Sequence, residues 1–212
     1  MRLYLSSENV GHHGDRLLKM VGANKTVAYI GNAKDYWGLE SRIKKTADHK
    51  AEFESFGFKF TEFDLRNYFD QQKITESDVS GFGLIWCSGG NTFLLRRALR
   101  DSGLDKIIID LVKADKVVYG GSSAGSIIAT PSLHGTELAD DPDVVRTTYD
   151  KDVFWEGLSL TPNHIVPHVG SDWFGPESAA MIQYLKKNEL PYKALVDGQV
   201  YVVQGETEEL LT

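Results

Sequence analysis

Short apolar runs rich in β-branched residues alternate along the chain with segments of helical spacing, the pattern of a mostly parallel sheet covered on both faces. Leu3 to Leu5 predicts a first strand and Asp15 to Val21 a helix behind it. Thr26 to Ile30 predicts a second strand. The long stretch from Tyr36 to Phe56 carries its charges along one face, as a surface helix does. Phe58 to Phe63 alternates into a third strand, and Gly83 to Cys87 predicts a fourth. Thr92 to Arg100 and Asp105 to Lys113 have helical spacing, and Lys116 to Tyr119 is a strand. The pattern loosens from Pro131 to Glu156, rich in Asp, Thr and Pro. His164 to Val169 resumes a strand and Glu177 to Lys187 a helix; Ala194 to Val196 with Val200 to Val203 predicts a terminal strand pair joined at Asp197-Gly198. No repeat, low-complexity run or linker interrupts the order, so the expectation is one α/β domain over residues 1–212, a three-layer sandwich around a mostly parallel central sheet.

One junction in this pattern carries chemistry. The apolar run Val117-Val118-Tyr119 enters Gly120-Gly121-Ser122-Ser123-Ala124-Gly125 and leaves as a small-residue helix. Ser123 occupies the centre of Gly-x-Ser-x-Gly, a pattern that holds a hydroxyl on a sharp strand-to-helix turn above the sheet edge. The amides that follow, Ala124 first, are placed to meet a developing oxyanion. An ordinary glycine-rich turn is the plainer reading of the same letters. A phosphate loop fits worse, since Ser126 stands where lysine is needed, and the glycine spacing does not form a dinucleotide fingerprint.

A serine hydroxyl needs a base, and the base an orienting acid. Of the six histidines, His12 and His13 precede the first helix and His49 lies on a charged helix face, where all three read as solvated. His134 follows the elbow helix and could line a cleft. His164 and His168 bracket Ile165-Val166-Pro167, and His168 lies at the carboxyl end of the strand, where open α/β sheets collect their ligands. For the acid, Asp197 also stands at a strand end, although Asp-Gly is equally a hairpin turn. Asp140, Asp141, Asp143, Asp150 and Asp152 compete for the role from a loop. A second cluster, Ser88-Gly89-Gly90-Asn91-Thr92, follows the fourth strand and opens a helix. There Gly90 could supply a second oxyanion donor, while Asn91 or Thr92 caps the helix.

Composition narrows the classes. With 42% hydrophobic and 25% charged residues the chain reads as a soluble globular protein. A formal charge of −7 argues against sequence-independent binding to nucleic acid or to an anionic membrane. The single cysteine, Cys87, excludes an internal disulfide and reads as a buried structural thiol. The first residues are too short in their apolar stretch for a signal peptide, and no segment has the apolar length of a membrane span, so the expected location is cytoplasmic. His164 and His168 lack a third ligand at metal-binding spacing, and no metal or cofactor is expected.

Gly89-Gly90-Asn91-Thr92-Phe93, Gly121-Ser122-Ser123-Ala124-Gly125, Pro167-His168 and Leu195-Val196-Asp197-Gly198, in this order, resemble the peptidase E family of serine peptidases, which includes aspartyl dipeptidases and, more distantly, cyanophycinases. The resemblance implies a class I glutamine amidotransferase-like, flavodoxin-like fold. It implies Ser123 as nucleophile, His168 as base and Asp197 as acid, with the Gly90 and Ala124 amides as oxyanion hole, and no cofactor. Two departures bear on substrate. The family's dipeptidases commonly carry Glu at the position of Asp197. They also carry a Gly-Glu-Thr-Arg motif after the histidine, where this chain reads Val169-Gly170-Ser171-Asp172-Trp173-Phe174-Gly175-Pro176, without arginine. A carboxylate-selecting pocket then lacks its bidentate partner, which does not predict strict N-terminal aspartyl specificity. The expected function is a serine-type peptidase acting on short peptides, as a monomer or homodimer. Asn91, His134, Glu137, Asp140 and Asp141 are candidates for binding substrate, the acidic ones through its free amino group. The alternatives are an esterase or amidase with the same triad, or a non-catalytic relative that binds a small metabolite.

Overall fold

Alternation along the strands separates the layers. The computed structural model describes residues 1–69 and 73–212. The chain runs through β1 (Arg2–Ser6), α1 (Gly14–Val21), β2 (Thr26–Ile30), α2 (Leu39–Ser55), β3 (Lys59–Glu62), α3 (Glu76–Val79) and β4 (Leu84–Cys87). It continues through α4 (Thr92–Ser102), α5 (Leu104–Lys113), β5 (Val118–Ser122), α6 (Ala124–Ile127) and α7 (Val144–Tyr149). Then come β6 (His164–Val166), α8 (Gly175–Lys187), β7 (Tyr192–Ala194), β8 (Val200–Gln204) and β9 (Thr207–Leu211). In β1, Leu3 and Leu5 enter one apolar cluster and Tyr4 the other; in β4, Ile85 and Cys87 oppose Leu84 and Trp86. Leu17 and Met20 of α1 and Phe53 of α2 cover the Tyr4–Trp86 face. Phe93 of α4, Ile108 of α5, Ile127 of α6 and Met181 of α8 cover the other. The result is the expected three-layer α/β sandwich.

The central sheet has seven strands in the order β3-β2-β4-β5-β1-β8-β9. The first five run parallel; β8 is antiparallel to β1, and β9 to β8. Adjacent β1 and β5 send their following helices, α1 and α6, to opposite faces, as β2 and β4 do with α2 and α4. Such reversals open crevices beyond the carboxyl ends of the strands.

Several expectations are corrected. Ala194 to Val196 does not form a hairpin with Val200 to Val203: β7 pairs in parallel with β6 in a separate two-stranded sheet, and β8 pairs with β1 and β9. The Asp-Gly turn itself is real, closed by the Gln199 amide donating to Val196 O at 3.0 Å, but it carries the chain between sheets. β5 starts later than Lys116 and runs through the glycines to Ser122, because pairing with β1 on one side and β4 on the other extends to them. The strand from His164 stops at Val166, short of His168. The stretch from Pro131 to Glu156 contains a one-turn helix, Thr136–Leu138, and α7. Among the described residues no helix is long and apolar enough to cross a membrane.

Candidate active site

Ser123 sits between β5 and α6 at φ +50° and ψ −115°, a conformation an L-residue adopts at a cost of roughly 1–3 kcal/mol. The surroundings over-determine it. The Ser123 amide donates to the Ser6 and Ser7 carbonyls at 3.2 and 3.1 Å, and its own carbonyl accepts from the Ser126 and Ile127 amides. Ser126 Oγ donates to Ser6 O at 2.7 Å and lies 2.8 Å from Gly121 O, while Tyr119 Oη donates to Gly125 O. Gly125 permits this closeness: a Cβ there would lie 1.9 Å from Cys87 O. The glycines flanking Ser123 thus pull α6 down onto β4 and leave the hydroxyl standing at the sheet edge. α6 has only four residues, so its individual free N–H groups, not a macrodipole, make the electrostatic environment.

His168 is 2% exposed and sits in the left-handed region at φ +60°. Its Nδ1 lies 2.6 Å from Asp197 Oδ1. Ser7 joins the pair from β1's end: its Oγ accepts the His168 amide at 2.8 Å and donates to the same Asp197 Oδ1 at 2.8 Å. One hydroxyl therefore fixes the backbone of the histidine and the side chain of the acid together. Trp173 and Phe174 pack on the imidazole, with ring centroids 4.4 and 5.4 Å away. His168 Nε2 is buried and has no hydrogen-bond partner among the described residues. Ser123 Oγ and His168 Nε2 are not hydrogen-bonded to each other, so the expected chain of three groups is closed at the histidine–aspartate end only.

Ser123 and His168 line one cavity of about 300 Å³, together with Gly89, Gly90, Asp140, Lys34, Lys45, Trp173 and Phe174. Gly89 is packed on the elbow, since a Cβ on it would lie 3.0 Å from Ser123 Cβ. Gly90 adopts φ +138°, and a Cβ there would meet Ala33 O at 2.4 Å. The Gly90 and Ala124 amides donate to no backbone carbonyl among the described residues, which leaves both available to a ligand.

The remaining candidates divide. Asp140 lines the cavity, and its carboxylate accepts the Thr92 amide at 2.8 Å; burial raises its pKa above the usual carboxylate value. Asn91 is the N-cap of α4, its Oδ1 accepting the Leu94 amide at 2.9 Å while Nδ2 donates to Asp141 O at 2.8 Å. It holds the acidic loop in place but is not part of the cavity wall. His134 is exposed and stacks on Trp155 with centroids 4.6 Å apart, Glu137 accepts the nearby Gly135 amide, and Asp141 faces solvent; the structure brings none of the three into the cavity. Of the competing acids, Asp152 pairs with Arg146 and Asp143 and Asp150 flank α7, leaving Asp197 as the one joined to His168. His49, expected on a solvated face, is buried against Tyr29, and burial lowers its pKa. Burial pushes the Cys87 thiol up to about 12, which makes it an inert structural residue.

Two residues of this site escaped the sequence reading. Ser7 carries no signal beyond its place after the first strand. Lys34 follows β2 at the same edge of the sheet, and a lysine just beyond a buried strand, Thr26–Ile30, was a signal available in the sequence. Among the described residues no group of three or more His, Cys, Asp or Glu is arranged to hold a metal ion.

The family model described as Peptidase family S51 matches residues 3–211. An uncharacterized peptidase of Pasteurella multocida is 31% identical over 71% of this chain and 76% of its own length. A Drosophila melanogaster protein named "Probable alpha-aspartyl dipeptidase" is 28% identical over 99% of this chain and 85% of its own. The crystal structure of a candidate peptidase E protein from Listeria monocytogenes EGD-e superposes with a TM-score of 0.76 at 20% identity, covering 99% of this chain and 97% of that one.

Proposed function

The chain belongs to peptidase family S51, and from that premise we propose that it is a serine peptidase hydrolysing short peptides, with Ser123 as nucleophile, His168 as base and Asp197 as the acid that orients it. Ser123 Oγ attacks the scissile carbonyl carbon while His168 Nε2 takes its proton. The oxygen becomes an oxyanion held by the Gly90 and Ala124 amides. Collapse breaks the C–N bond, and Nε2 returns the proton to the leaving amine; water then cleaves the acyl-serine by the same base. One observation carries this reading. A buried imidazole has its Nδ1 tied to a carboxylate and its Nε2 unpartnered, in the same cavity as a strained serine. An unsatisfied buried nitrogen costs on the order of 1–3 kcal/mol, and a role in proton transfer accounts for its retention. The gap between Ser123 and His168 suits a resting enzyme, since catalytic hydrogen bonds often tighten only when substrate binds.

Substrate size and polarity follow from the walls. A cavity of about 300 Å³ is at the small end of ligand sites and suits a dipeptide or slightly longer chain. Of the two carboxylates that line the cavity, Glu8 is exposed and Asp140 more buried; Asp140 is assigned here to receive a free α-amino group, since an incoming cation relieves the cost of keeping it buried. Among the described residues no arginine lines the cavity, so a strict requirement for aspartate is not part of the proposal.

A fluorophosphonate probe should label Ser123 stoichiometrically, read by peptide mass. Dipeptides with free amino termini should be cleaved faster than their N-acetylated forms and faster than simple esters. A protein neither labelled nor active on the whole panel does not fit the proposal. Asp140→Asn should raise KM for free-amino dipeptides about tenfold or more with little change in kcat, the size of a charge-assisted hydrogen bond of about 1.5–3 kcal/mol. Equal KM values for Asp140→Asn and wild type would remove the amino-group role.

A further inference from the structure

The turn after β2 grips the turn after β4 at three points. Ser88 N donates to Ile30 O at 3.0 Å, Asn91 N donates to Ala33 O at 2.8 Å, and the Lys34 ammonium donates to Gly89 O at 2.5 Å and to Ser88 Oγ at 2.7 Å. Lys34 is 5% exposed, so this amine is withdrawn from water and committed to these two acceptors. Gly89 O and the Gly90 N–H belong to one peptide unit. The described residues contain no cis peptide bond, and in a trans peptide the carbonyl and the next N–H point in opposite directions. An ammonium seated on Gly89 O therefore turns the Gly90 N–H away from Lys34. That N–H has no backbone acceptor among the described residues, and Gly90 lines the cavity beside Ser123. The unusual φ of Gly90 shows why a lock is useful: at +138° the peptide has glycine's freedom on one side and only hydrogen bonds to fix it.

Building on the serine mechanism above, we propose that Lys34 is a positioning residue of the oxyanion hole, its ammonium holding the Gly89–Gly90 peptide so that the Gly90 amide faces the developing oxyanion. The cation also polarises that peptide and makes its N–H a stronger donor. Lys34 does not touch the substrate in this role; it acts through the Gly90 amide.

Protonation makes the device testable. Burial, and secondarily the charge of Lys45, lower the Lys34 pKa from its usual value to about 7. A group with a depressed pKa of this kind is charged below it and loses its charge as pH rises through it. Lys45 and His49 of α2, Glu8 after β1, Asp140 and His168 share its cavity, and Asp35, Arg42, Glu62, Asp64 and Arg66 line a second hollow that Lys34 also borders; the buried phenol of Tyr29 has no hydrogen-bond partner among the described residues and remains protonated well above this range. The rate should thus fall as rising pH discharges Lys34.

The test is the rate of fluorophosphonate labelling from pH 5 to 9.5 alongside dipeptide kinetics, for wild type, Lys34→Met and Lys34→Arg, with circular dichroism confirming that each is folded. The phosphonyl oxygen occupies the oxyanion hole, so labelling reads that hole directly. Wild type should show a descending alkaline limb near neutrality. Lys34→Met should lose that limb, with kcat and labelling down about tenfold to a hundredfold and KM within about threefold of wild type, less than the 10²–10³ lost when an oxyanion donor is removed outright. Lys34→Arg should restore at least part of the rate and move the limb to higher pH. A wild type that no fluorophosphonate labels overturns the serine mechanism and this proposal with it. A labelled wild type whose rate climbs to a plateau through pH 9.5 overturns this proposal alone, even if Lys34→Met fails to fold. So does a Lys34→Met protein labelled at the wild-type rate, or one altered in KM only, which would place the amine on the substrate instead.

Discussion

Ser123→Ala should reduce peptide turnover on the order of 10⁶-fold and abolish fluorophosphonate labelling, while leaving peptide binding within a few fold of wild type. The magnitude is that of a nucleophile acting as a unit with its base: once the attacking oxygen is gone, the histidine and carboxylate have no proton to move. Binding survives because the cavity walls, including Asp140, Trp173 and Phe174, are untouched. The same position supports a second measurement that separates chemistry from strain. Ser123 holds φ +50° and ψ −115° against two carbonyls of the β1 end, and glycine reaches that region freely. Ser123→Gly should therefore be equally inactive yet more stable. Relief of roughly 1–3 kcal/mol of strain outweighs the 0.4–1 kcal/mol that glycine's extra freedom adds to the unfolded chain. The net gain should raise Tm by a few degrees, at about 2–4 °C per kcal/mol for a chain of this size. Alanine cannot relax the backbone and should leave Tm near wild type. Parallel Tm values for the glycine and alanine variants would mean that the elbow stores no strain.

The elbow was legible in the sequence for the same reason that it is strained. Small residues on both sides of Ser123 are required by local crowding, and local crowding leaves a local signature. The strands β2 and β4 were likewise legible almost to the residue, because both are buried on two faces and read as unbroken apolar runs. What escaped is set by contacts between distant segments. Asp197-Gly198 does turn, but the pattern of apolar residues does not say which strand β7 will pair with. The parallel partner β6 lies 28 residues upstream, Val166 facing Ala194. A hairpin would have aligned β7 with β8 and fixed Asp197 in its tip. The observed crossing between sheets instead sets its carboxylate on His168. Ser7 is illegible for the same reason: its hydroxyl gains meaning only from partners 161 and 190 residues away.

Those two contacts make Asp197 the second position with a large expected effect. Asp197→Ala should lower kcat by roughly 10⁴-fold, the usual cost of leaving a triad histidine without its carboxylate. Asp197→Asn is the more telling change. An amide in this place can offer its oxygen or its NH₂ to His168 Nδ1. Offering NH₂ forces the proton onto Nε2, the wrong tautomer for a base, and in an unbraced site this costs about as much as removing the acid. Here Ser7 Oγ already donates to Oδ1, the same atom that meets His168, and the Asp197 side chain as a whole is partly exposed. The serine proton therefore favours the amide oxygen at that point, with NH₂ turned to solvent and the histidine in its productive tautomer. Asp197→Asn should then lose the carboxylate's charge but keep its orientation, falling only about 10²-fold. Adding Ser7→Ala should remove the bias and bring the double variant down toward the alanine level, while Ser7→Ala alone costs about tenfold. Single-turnover kinetics on the four proteins measure the coupling directly. If Asp197→Asn is already as slow as Asp197→Ala, Ser7 does not select the tautomer, and its hydroxyl serves only to tie the backbone of His168 to the end of β1.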